Sequence, residues 1–156
     1  MYNKATRTWV LWMNVVSEGW NETGSAFEVQ HWSTLATATS SSISGPYKMA
    51  AGGEKPIIMG TGNASYAHGD FGVFTDDDGK GYVLYNAYDH RRKKQHSNSV
   101  DLLTADFTSS TRRTSGFFAE WDSDGKDNGD EAQVLLKKNG GYYAIISQGA
   151  PAPARL

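Results

Sequence analysis

Three segments of the chain repeat one pattern of apolar stretch, polar turn and aromatic-rich apolar stretch. They run from Tyr2 to Trp12, from Phe74 to Tyr85 and from Leu136 to Ile146. No segment keeps a long amphipathic period of 3.6, so the pattern predicts strands rather than helices. Asp78-Gly79 and Asn139-Gly140 mark two of the turns. Both dipeptides tolerate positive φ and predict type I′ hairpins. The stretches after the turns, near residues 9–13, 82–86 and 142–147, are almost continuously apolar. Such runs predict strands covered on both faces.

A second piece follows the first two hairpins. Leu35–Thr39 leads to Ser44-Gly45-Pro46-Tyr47, and Leu102–Asp106 leads to Thr114-Ser115-Gly116-Phe117. Each predicts a third strand, a turn and a fourth strand. Trp9 and Tyr82 lie 73 residues apart, and Tyr82 and Tyr143 lie 61 apart. Four-stranded antiparallel units at this spacing predict propeller blades, near residues 1–60, 66–118 and 130–156. The expected fold is therefore all-β, a partial propeller domain over 1–156, with about two and a half blades. A β-sandwich with similar hairpins is the competing architecture. A propeller closes on itself to protect its edges, so the shortfall, with the turn-like end at Gly149–Leu156, predicts a fragment.

Composition narrows the function classes. The chain has no Cys, which removes disulfide scaffolds, thiolate zinc sites and cysteine nucleophiles. A net charge of −2 is unlike a dedicated nucleic-acid binder. No apolar run approaches the roughly 18 residues of a membrane helix. No charged, apolar and cleavage-site pattern of a secretory leader opens the chain. His31, His68, His90 and His96 lack metal-ligand spacing, and the acidic run Asp122–Asp130 fits no calcium-loop register. Neither metal nor cofactor is expected. Arg91-Arg92-Lys93-Lys94 reads as a solvated loop rather than a nucleic-acid patch.

Two carboxylates stand out by position. Asp70 precedes Tyr82 by 12 residues, and Glu131 precedes Tyr143 by 12. Both thus sit just before the innermost strand of their repeats. In a propeller that position lies near the axis, where residues from different blades converge. Converging carboxylates are the machinery of glycoside hydrolysis: one, protonated, donates to the leaving oxygen, while another, ionised, handles water. The plainer alternative makes them turn or strand-start polar residues. Trp9 and Trp12 read as core. Trp121, in the acidic loop that leads to Glu131, is the candidate sugar-stacking platform. Tyr66, His68 and Asp89 complete the candidate substrate-binding set, with a turn role the alternative for His68.

At these residues the sequence resembles glycoside hydrolase family 43, a five-bladed β-propeller family, and most of all its galactan 1,3-β-galactosidase-like branch. The carrying motifs are Tyr2–Lys4 through Val10–Met13, Gly69-Asp70-Phe71 through Asp77–Lys80, and Asp130-Glu131-Ala132 through Asn139–Tyr143, with Ala36-Thr37 to Ser44–Tyr47 beside them. The resemblance implies that Glu131 is the general acid and that Asp70 orients it and keeps it protonated. It implies an inverting hydrolase of galactose-containing polysaccharide, with carbohydrate as partner, and a secreted intact enzyme. The family's first-blade carboxylate would precede Tyr2, no base is assigned, and this chain alone is expected to be inactive. Asn14 and Gln133 depart from the branch's usual residues, and Asp89–His96 reads as an insertion. A noncatalytic carbohydrate-binding or interaction propeller is the rival function. The oligomeric state is left open.

Overall fold

The computed structural model describes residues 1–20, 27–50, 57, 59–60, 66–89, 94–119 and 131–147. Among them there is no helix; ten strands form three antiparallel sheets. The first sheet has the order β1 (Tyr2–Asn3), β2 (Thr8–Trp20), β3 (Phe27–Ser40), β4 (Lys48–Met49). The second runs β5 (Tyr66–Thr75), β6 (Gly81–Asp89), β7 (Lys94–Leu103), β8 (Ser110–Ala119). The third pairs β9 (Glu131–Lys138) with β10 (Gly141–Ser147). Each four-stranded sheet is a meander in chain order, as the repeated hairpins predict.

The turns separate into two kinds. Asn139 and Gly140 both take positive φ, 52° and 78°, so the Lys138–Gly141 hairpin closes with the expected type I′ geometry. The expectation for Asp78-Gly79 is corrected. Only Gly79 has positive φ, at 81°; its N–H bonds Asp76 O at 2.9 Å, and Asp76 N–H bonds Lys80 O at 2.9 Å. This is a three-residue loop, a type I turn closed by a left-handed glycine. Loop length, set by the Thr75–Gly81 pairing, overrides the dipeptide preference. Two further corrections concern strand limits. Ser44–Tyr47 is the turn before β4, not the strand, and contains a cis Gly45-Pro46 bond. Asp89 closes β6 and Lys94, Gln95 and His96 open β7, so the polar stretch between the two strand candidates is partly strand.

One apolar core joins the first two sheets: Val10, Trp12 and Leu35 from one, Val83, Tyr85, Leu103 and Phe107 from the other, with Ile57 and Met59. The seam is built by the Thr104–Ser109 turn between β7 and β8. Asp106 shapes it by accepting from Thr104 Oγ1 at 2.6 Å and Thr108 N at 3.1 Å. Phe107, at φ 66°, is driven into the core with 3% exposure. Three carbonyls of this turn then accept donors from the first sheet: Ala105 O from Asn3 Nδ2 at 2.7 Å, Phe107 O from Trp12 Nε1 at 2.9 Å, and Thr108 O from Thr37 Oγ1 at 2.8 Å. The indole N–H and the amide thus enter the core without losing their hydrogen bonds.

The expectation of strands covered on both faces holds for β6, where Val83, Leu84 and Tyr85 are all 0% exposed. It fails for β10, whose Tyr142, Tyr143 and Ile145 are more than half exposed. Among the described residues no third strand lies beside β10.

A carboxylate-lined seam as the candidate active site

The second and third sheets meet along β5 and β9, and two contacts fix how. Gly72 lies so close to β9 that a Cβ on it would stand 2.2 Å from Gln133 O. Only a glycine admits that approach. Four residues further along each strand, Lys137 Nζ donates to Asp76 Oδ1 at 2.7 Å. Gly72 with Gln133, and Asp76 with Lys137, share one offset of 61 residues. Contacts in the same order along both strands mean that β5 and β9 run side by side in one direction. Asp70 and Glu131, also 61 apart, lie two residues before the Gly72–Gln133 contact, about 6–7 Å back along each strand.

Both strands are bulged at this end. His68 pairs with Ala87 and Phe71 with Tyr85, so Gly69 and Asp70 together oppose Asn86. Glu131 pairs with Ser147 and Val134 with Ile145, so Ala132 and Gln133 together oppose Ile146. Bulges re-aim side chains and gather beside functional sites. Asp70 is exposed. Glu131 opens β9; its side chain lies outside the description, as do those of Tyr66, His68 and Asp89. The backbone pairs Tyr66 directly with Asp89 and puts His68 two positions further along β5. Three of the expected binding residues therefore share the strand end that carries Asp70. Trp121 and the acidic run Asp122–Asp130 lie outside the described residues.

A buried polar layer crosses the seam beneath the bulges. Gln133 Nε2 donates to Asn98 Oδ1 at 3.0 Å, with the two side chains 2% and 1% exposed. Asn98 is the cross-strand partner of Asn86, which faces the Asp70 bulge. Sequence reading treats Gln133 only as a departure from a family pattern. The available signal is the polar interruption of apolar runs at Asn86 and Gln133, but their pairing through Asn98 depends on the register.

At the other end of the seam Asp76 is held as a carboxylate. Lys137 donates to it, and the Tyr142 hydroxyl donates to Oδ2 at 2.5 Å. The Lys137 ammonium first, and the Tyr142 hydroxyl second, hold its pKa down to about 2. The same pairing raises Lys137, whose ammonium also reaches Asp77 Oδ2 at 3.0 Å. Asp101 is the remaining buried acid of note, with 0% exposure. It accepts from Gly60 N, Tyr85 OH, Ser110 Oγ and Thr114 Oγ1 at 2.5–3.0 Å. Those four donors bind β6, β7, β8 and the Gly60 segment together, and the carboxylate serves the fold. Among the described residues no cluster of three or more His, Asp or Glu is arranged to hold a metal ion.

No family model and no curated protein matches the chain. Solved structures do. An exo-β-1,3-galactanase from Clostridium thermocellum is 27% identical over 97% of this chain and 29% of its own, with a TM-score of 0.63. A family 43 β-1,3-galactosidase solved with galactodeoxynojirimycin is 21% identical over 97% of this chain and 49% of its own, with a TM-score of 0.67. An endo-1,4-β-xylanase from Bacteroides thetaiotaomicron is 26% identical over 94% and 48%, with a TM-score of 0.55. The chain spans less than half the length of each. Over that span it has the propeller-like fold of the glycoside hydrolase family 43 galactosidases and galactanases.

Proposed function

We propose that the chain carries part of the active site of an inverting glycoside hydrolase acting on galactose-containing polysaccharide such as β-1,3-galactan. Residues 1–60, 66–118 and 130–156 are then neighbouring blades, complete or partial, of a five-bladed propeller. Glu131 is the general acid that protonates the glycosidic oxygen. Asp70 is the neighbouring carboxylate that orients it and, by like charge, keeps its proton on at neutral pH. Tyr66, His68, Asp89 and Trp121 line the sugar site. The observation that supports this reading is the codirectional run of β5 and β9 at a constant offset of 61, with Asp70 and Glu131 each two residues before the Gly72–Gln133 contact. The galactose preference is drawn from the galactanase and galactosidase likenesses; the xylanase likeness makes xylan the control substrate.

The test uses a cationic galactose-configured iminosugar, galactodeoxynojirimycin, and two substrates. Titration calorimetry on the 156-residue chain is expected to show binding that Asp70→Asn and Glu131→Gln each weaken. Hydrolysis of β-1,3-galactan by the chain alone is expected to be slight. In a chain extended to the length of its structural relatives, Glu131→Gln stops hydrolysis of galactan yet spares activated aryl galactosides, whose leaving groups need no proton. Asp70→Asn shifts the pH profile instead. Full activity of Glu131→Gln on the polysaccharide would remove it as the acid. Binding indifferent to both substitutions, or a preference for xylan, would overturn the site or the substrate respectively.

A further inference from the structure

We propose that Gln133 is a positioning residue for the candidate acid pair: hydrogen-bonded to Asn98 and pressed against Gly72, it fixes the β9 bulge that follows Glu131 against the β5 bulge that carries Asp70. The role of those two acids rests on the glycosidase reading; the fixing itself does not. Gln133 is held at two points. Its carbonyl lies so close to Gly72 that any side chain there would collide with it, and its Nε2 donates to Asn98 Oδ1 at 3.0 Å. The first contact is to β5 and the second to β7, so β9 is tied to two strands of the second sheet at once. Asn98 in turn pairs with Asn86, the residue opposite Gly69 and Asp70. One chain of contacts therefore runs from the β9 bulge, through Asn98 and Asn86, to the β5 bulge.

Stability does not account for this pair. The side chains of Gln133 and Asn98 are 2% and 1% exposed, and Asn98 Nδ2 has no hydrogen-bond partner among the described residues. A buried amide that leaves a donor unmet costs more than its one bond returns, and an apolar pair of similar size would pack here without that cost. What the amides supply instead is register. Each must present its polar atom at one place and in one direction. A slip of β9 by one residue would bring Ala132 or Val134 to Asn98, and neither side chain has a hydrogen-bonding group. Register is what a bulged strand needs from outside, because its own ladder is interrupted at Ala132 and Gln133. An acid pair needs it too. Like-charge coupling and the reach to one glycosidic oxygen both change over about an ångström.

The chain has no native Cys, so Asp70→Cys/Glu131→Cys in the 156-residue chain reports the placement directly. With oxidised glutathione the two thiols are expected to close a disulfide, and adding Asn98→Leu/Gln133→Leu is expected to slow closure at least about tenfold. With both acids intact, Asn98→Leu/Gln133→Leu is expected to keep a urea midpoint no lower than the wild type's, since replacing both amides removes the unmet donor. Galactodeoxynojirimycin is nevertheless expected to bind this variant at least about fivefold more weakly in titration calorimetry. Gln133→Met, which keeps the volume and removes the donor, gives the same comparisons with a single change. Closure equally fast with and without the amides overturns the positioning role, as does a thiol pair that never closes in the otherwise native chain. A loss of affinity only in proportion to lost stability makes Gln133 a residue of the fold alone and overturns it as well. Amide-dependent closure in a chain whose wild type does not bind the iminosugar upholds the positioning and removes the glycosidase reading.

Discussion

The two seams of the molecule use the same sequence position with different chemistry. Asn3 and Asp76 lie 73 residues apart, each at the start of the first turn of its sheet, and each reaches into the next sheet. Asn3 meets a backbone carbonyl of the Thr104–Ser109 turn, as Trp12 and Thr37 also do, and these neutral hydrogen bonds surround an apolar core. An amide suits this place because it offers an N–H donor without bringing a charge into the core. Its Oδ1 meanwhile caps its own turn, accepting from Ala5 N at 3.0 Å and Thr6 N at 3.1 Å. Asp76 instead meets a lysine and a tyrosine, and Phe74 packs edge-on against the Tyr142 ring at 6.3 Å. One seam is held by packing that charge does not touch; the other has an ionisable latch.

The comparison breaks most visibly at Phe107. Phe107→Ala should cost about 3–5 kcal/mol, because the cavity opens where two sheets share one core. Asn3→Ala should cost about 1–3 kcal/mol by leaving the Ala105 carbonyl and two turn N–H groups without their partner. Urea denaturation followed by tryptophan fluorescence checks both, since Trp12 sits in this seam. Neither loss should change between pH 5 and 2.

Acid sharpens the contrast. Asp76 has its pKa lowered in the folded chain, so the stability it contributes is present above the usual carboxylate value of 3.8. That contribution is lost as pH falls from there through about 2. The seam of β5 and β9 should therefore loosen in this window while the Phe107 seam holds. Thermal unfolding from pH 5 to 2 should show a steep acid limb in the wild type and a shallower one in Asp76→Asn, which has no proton to take up. A wild-type limb unchanged by Asp76→Asn would assign the acid sensitivity to other carboxylates.

The same contrast explains what the sequence could reveal. Hairpin turns and apolar strands were legible because they depend on neighbours within ten residues: Asn139-Gly140 turns as expected, and Val10, Val83 and Ile145 all lie in strands. The common offset of 61 was legible as well, and it proves to describe the β5–β9 seam at two contacts. What a strand meets was not legible. β6 and β10 read alike, yet β6 lies between β5 and β7, whereas among the described residues β10 pairs with β9 alone. The pairing of Tyr66 with Asp89 and the bridge from Gln133 to Asn98 depend on bulges that shift register by one residue. A single-residue shift leaves no mark on an apolar pattern. Asp76 lies in the polar turn of the second repeat and nothing in the sequence singled it out, because its partners stand 61 and 66 residues away.

The smallest expected effect lies on the same turn. Asp78 and Lys80 form an ion pair at 2.5 Å, as short as any at Asp76. Their side chains are 45% and 58% exposed, whereas Asp76 is 7% exposed and Lys137 24%. Lys80 lowers the Asp78 pKa, but water and salt compete for both groups at every moment. Lys80→Gln should therefore move the melting temperature by no more than about 1 °C, and about 0.5 M salt should erase even that. Lys137→Gln should lower the melting temperature several times further and flatten the acid limb, with much of the effect surviving the same salt. Lys137 also packs over the Tyr142 ring, 5.1 Å from its centroid, so the substitution removes a contact that bulk ions cannot replace. Equal responses of the two variants to salt would mean that the seam is wet, and that Asp76 holds the sheets no more firmly than Asp78 holds its own turn.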